Sequence, residues 1–115
     1  MGRSRGGAPR ALPGAGLTFD DVIRRQLDLF EQESTDLIAE CDAAERAYDA
    51  AGRDEAEERY AAYLELVETG TARLAELRDN FASTMTESAA EEYEHEFNAA
   101  VQKQLPRFSL QIEDL

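Results

Sequence analysis

Residues 44–60 read AERAYDAAGRDEAEERY, and the single glycine among them, Gly52, decides the fold. On both sides of it, apolar or small residues recur in alternating steps of four and three. Toward the N-terminus the series is Ala51, Tyr48, Ala44, Cys41, Leu37, Ser34, Phe30, Leu27 and Ile23. Toward the C-terminus it is Ala56, Tyr60, Tyr63, Val67, Gly70, Leu74, Leu77, Phe81 and Thr84. Such steps mark the seam of a helix that packs along another helix. Gly52 is expected to end the first helix. Asp54, followed three residues later by Glu57, resembles a capping box that opens the second.

A link of two or three residues forces consecutive helices to lie antiparallel. Facing rungs then join residues whose numbers add to 104, among them Ile23 with Phe81, Phe30 with Leu74, Leu37 with Val67 and Cys41 with Tyr63. Arms of about 30 residues would be about 45 Å long. One rung, Ser34 with Gly70, is small on both sides. Glycine inside a helix costs about 1 kcal/mol, so a packing reason is expected there: a close approach, or a bend that admits another element. The functional alternative is a notch for a ligand or a partner side chain.

Thr18 is the expected N-cap of the first helix, with Asp20 and Asp21 at its positive end. Before it, residues 1–17 hold five of the seven glycines, two of the three prolines and Arg3, Arg5 and Arg10, which predicts a disordered basic tail. After Phe81 the run Ser83, Thr84, Thr86, Ser88 predicts a break near 83–88, with Ser88 and Glu91 as the next capping box. A third helix then carries Tyr93, Phe97, Ala100 and Val101 on one stripe, and Pro106 stops it. Residues 18–105 thus form the helical hairpin and third helix. In 106–115, Phe108, Leu110 and Ile112 alternate at period two, which predicts an extended tail.

Composition narrows the function. The 115 residues carry 12 Lys and Arg against 25 Asp and Glu, a net charge of −13. That excess argues against nucleic acid or an anionic membrane as the main partner. A lone cysteine excludes an internal disulfide framework and a cysteine zinc cluster. No apolar run approaches the roughly 20 residues of a membrane span, and the N-terminus lacks the apolar core of a secretory signal. A cytoplasmic location is expected.

The strongest chemical motif is Glu92-x-x-His95, whose spacing puts a carboxylate and an imidazole on one helix face. It resembles the carboxylate–histidine pair of ferritin-like di-iron bundles over five residues, which would imply iron binding and ferroxidase chemistry, with Glu31, Glu33 and Glu40 completing a site between two chains. Helical geometry turns Glu92 about 125° from the apolar stripe and His95 nearly opposite it, so a solvated face is the expectation and no metal or cofactor is assigned. Cys41, on the seam, reads as a small hydrophobe rather than a nucleophile. In length and hairpin shape the chain also resembles the small helical hairpins exported by actinobacterial-type secretion systems. It departs from them at the turn, Tyr48-Asp49-Ala50-Ala51-Gly52, which lacks Trp-x-Gly.

The sequence therefore predicts an all-α protein: a long, coiled-coil-like antiparallel hairpin plus a C-terminal helix, completed as a bundle by homodimerisation because one short helix cannot cover two long arms. The expected function is non-enzymatic protein–protein interaction or scaffolding. Phe108, Leu110, Ile112 and Leu115 are the candidate partner-binding residues, packed back on the hairpin or added as a strand to a partner's sheet edge.

Overall fold

A computed structural model of the protein describes residues 19–115. The expected cap at Thr18 and the basic tail lie outside the described residues. Among those described, the fold is all-α, with four helices and no strand: α1 (Asp20–Glu33), α2 (Thr35–Asp49), α3 (Arg53–Ala82) and α4 (Glu87–Gln104). Two 3₁₀ turns, Pro106–Phe108 and Ile112–Asp114, close the chain.

The first arm is two helices, not one. Ser34 interrupts it at φ −115°, ψ 26°, yet Ser34 N still bonds Phe30 O and Ile38 N bonds Ser34 O, both at 2.9 Å. The axis bends without ending. Beside it, the Thr35 hydroxyl donates toward the carbonyls of Gln32 at 3.0 Å and Glu31 at 3.3 Å. The bend falls at the small rung read from the sequence.

α2 and α3 make the most extensive packing between any two elements. The turn between them corrects two expectations. Gly52 does not cap α2 in a left-handed conformation; it is the extended N-cap of α3, at φ −77°, ψ 173°, with its carbonyl accepting from Glu55 N and Ala56 N at 3.0 Å. Asp54 lies inside the first turn of α3 and makes no capping bond, acting only as an acid at the positive helix end. At the next break, Thr86 is the N-cap instead of Ser88: its Oγ1 accepts from Ala89 N at 3.3 Å.

Burial follows the predicted seam only along the open half of the hairpin, and there in part: Leu77 and Phe81 are half-buried and Thr84 is exposed. Ile23, Leu27, Phe30, Ser34, Leu37 and Cys41 are buried on the first arm; Val67, Gly70 and Leu74 are buried on the second. α4 covers this half, placing Tyr93, Phe97 and Val101 wholly inside. Tyr93 packs edge-on to Phe19 and against Phe81, with ring centroids 5.5 and 5.1 Å apart. From Asp42 to Leu66 no residue is buried. The turn half therefore projects as a two-helix finger, touched at its base by Arg107, and the described residues extend over 66 Å. No helix among the described residues is long and apolar enough to cross a membrane.

Candidate interaction groove

The stripe Val67, Thr71, Leu74, Arg78 on α3 steps by four, three and four, and all four residues are buried. Two of them are polar, and both serve the C-terminal segment. Thr71 Oγ1 lies 2.9 Å from Val67 O and 3.2 Å from Phe108 O. Arg78, only 3 % exposed, donates from Nη1 to Ile112 O at 2.8 Å and from Nη2 to Leu115 O at 2.6 Å. Its remaining bonds fix the guanidinium: Nη1 to Asn98 Oδ1 at 2.9 Å and Nε to Asp79 Oδ1 at 2.8 Å. A planar fork with five donors suits this set of acceptors, which a lysine point charge would not match.

Gly70 supplies the floor of the groove. The Phe108 ring lies so close that a Cβ on Gly70 would run into it, with Cδ1 and Cζ at 2.8 and 2.9 Å and Cε1 nearer still. The same ring meets Phe30 edge-on, centroids 5.7 Å apart. Burying a phenylalanine contributes about 2–3 kcal/mol, more than the roughly 1 kcal/mol that glycine costs inside a helix. The small rung is thus a slot for an aromatic ring of the same chain.

Arg107 holds the other end of the segment. Its Nη1 and Nη2 pair with Asp42 and Glu45, each at 2.9 Å, Nε donates to Tyr63 Oη at 3.3 Å, and the guanidinium carbon is 5.8 Å from the Tyr63 ring centre. Burial works to lower its pKa, but the bonds to Asp42 and Tyr63 outweigh burial and leave it raised. The charge is permanent.

The expectation of an extended tail is overturned. Residues 106–115 form two 3₁₀ turns, so Phe108 and Ile112, four apart, point inward together. Leu110 is 85 % exposed and Leu115 54 % exposed. A strand addition through all four residues does not match this shape.

Other candidates fare differently. Glu92 and His95 are both exposed on α4, and among the described residues no three His, Cys, Asp or Glu side chains gather to hold a metal ion. Cys41 is buried, and burial pushes its thiol up more than the Arg107 charge pulls it down. A protonated, enclosed thiol is a poor nucleophile. Tyr93 is pushed up to about 12 by burial, partly opposed by its hydrogen bond to Gln26 at 2.8 Å, and stays neutral.

Sequence reasoning passed over Arg78, Thr71 and Arg107. Arg78 had a signal, since it continues the four–three stripe of Val67, Thr71 and Leu74 and so belongs on the core side of α3. The partners of Arg107 lie 44 to 65 residues away, where periodicity carries no information. No protein-family model, curated protein or solved structure matches the chain.

Proposed function

We propose that the protein is a non-enzymatic helical interaction or scaffold module, and that it works as a cytoplasmic homodimer joined through the turn half of its hairpin. The observation that carries this reading is the finger: 25 consecutive residues, Asp42 to Leu66, none of them buried. Its rungs are alanines and tyrosines, a thin seam for two helices alone. The Tyr48 and Tyr60 rings meet at 5.2 Å, tilted by 47°, with 39 % and 46 % of their surface exposed. Large, stiff, amphipathic rings at the surface are what association faces use. Two fingers related by a two-fold axis would make a four-helix bundle. A single buried thiol suits a reducing compartment.

Charge sets the test. The residues after the basic tail carry −16, so chains repel at low salt and screening favours the dimer. Light scattering coupled to gel filtration is expected to give twice the chain mass, with association strengthening toward about 1 M salt, where the screening length falls to about 3 Å. Tyr48→Glu with Tyr60→Glu is expected to return the chain mass without loss of helicity, because both rings are exposed. A wild-type protein that keeps the chain mass throughout this salt range contradicts the homodimer.

A further inference from the structure

Residues 106–115 sit on α3 in the manner of a peptide in a groove. Two of their own backbone bonds are long, Ile112 N to Ser109 O and Leu115 N to Ile112 O at 3.4 Å, while Ser109 N to Pro106 O and Asp114 N to Gln111 O are ordinary at 3.1 Å. What fixes them is the groove, through the Phe108 ring on Gly70, the Thr71 hydroxyl at Phe108 O, Arg78 at two carbonyls, and the acids around Arg107. Backbone carbonyls and two anchors four residues apart are read, while Leu110 between them faces water. Peptide-recognition sites work this way, with main-chain bonds for affinity and pockets for selected side chains.

Part of the groove is held by contacts outside its occupant. Arg78 keeps its bonds to Asp79 and Asn98, so its fork remains aimed. Leu27, Leu74, Tyr93, Phe97 and Val101 are each fully buried, in one core cluster with Phe108 and Ile112.

We propose that this groove is a peptide-binding site whose cis occupant, residues 106–115, is displaceable by a trans peptide of the same chemistry: a basic residue, an aromatic next to it, and a branched aliphatic four residues after the aromatic. The basic residue meets Asp42 and Glu45, the aromatic enters the Gly70 slot, and the aliphatic takes the place of Ile112. A tethered segment competes at an effective concentration in the millimolar range, so the wild-type groove is masked until the tether's anchor is weakened.

The test uses the full chain and a fluorescent peptide of sequence LPRFSLQIEDL, matching residues 105–115. Phe108→Ala in the protein removes the cis anchor and weakens the tethered occupant by about 100-fold. Fluorescence anisotropy is expected to show saturable peptide binding to the Phe108→Ala protein and binding at least about 30-fold weaker to wild type. Adding Gly70→Leu to the Phe108→Ala protein closes the slot and abolishes binding, as does placing alanine at the phenylalanine of the peptide. A folded Phe108→Ala protein that leaves the peptide unbound overturns the proposal. So does a Phe108→Ala protein that has lost its helicity, because the segment is then core and not ligand. Only Asp42 and Glu45, at the base of the finger, enter this readout, and Tyr48 and Tyr60 do not, so peptide binding by a monomer leaves this site standing while the homodimer fails.

Discussion

Leu74→Asp is expected to unfold the protein. Leu74 is fully buried in the last third of α3, within the cluster that joins α1, α3 and α4. Truncating a buried leucine costs about 2–5 kcal/mol. Burying a carboxylate with no partner adds several more, whether it stays charged or takes up a proton. The sum rivals the about 5–15 kcal/mol that hold a domain together. Far-UV circular dichroism at 25 °C should then show little helix and no cooperative melt. Leu74→Met, close in volume, is expected to cost under about 1.5 kcal/mol and serves as the matched control. A Leu74→Asp protein with native helicity and an unchanged melt would mean that Leu74 faces water.

Arg78→Ala is expected to destabilise the fold by about 3 kcal/mol. Its guanidinium makes the bonds that hold Ile112 O and Leu115 O to α3, and Ile112 is buried. Without the donor, a buried carbonyl keeps its desolvation cost, about 1–3 kcal/mol, and the packing of the arginine stem is lost as well. No large charge penalty is added, because Asp79 is half exposed and can return to water. With a urea m-value of about 1.5 kcal/mol/M, the unfolding midpoint falls by about 2 M. Arg78→Lys should recover only part of this, since an ammonium cannot reach the same spread of acceptors. Amide exchange in residues 109–115 should accelerate in the same variant. A loss under about 1 kcal/mol with unchanged exchange would mean that the arginine does not hold the segment.

The hairpin was legible because its signal is periodic and local. The four–three series around Gly52 named Ile23, Leu27, Phe30, Leu37 and Cys41 as inward residues, and all five are buried. The stripe on α4 likewise named Tyr93, Phe97 and Val101. The series ran too far in one respect: periodicity records which way a residue faces, not whether anything covers it, so Tyr48 and Tyr60 fit the seam yet stay exposed. Caps were misplaced because the capping-box template needs an acid at the third position, which Ser88 has and the true cap Thr86 lacks. The C-terminal segment was misread because Phe108, Leu110 and Ile112 suit both alternation and a four-residue pair, and three residues cannot separate the two. The gap at Gly70 was visible in the sequence. Its occupant, 38 residues further on, was not.

Nuclear Overhauser contacts from the Phe108 ring protons offer the most direct measurement, because that ring touches both arms of the hairpin at once. Cross-peaks are expected to the Gly70 Hα protons of α3 and to the Phe30 ring of α1, as their contacts with Phe108 require. Phe108 resonances at unfolded-peptide shifts, with neither cross-peak, would contradict the folded-back hairpin and the slot it builds.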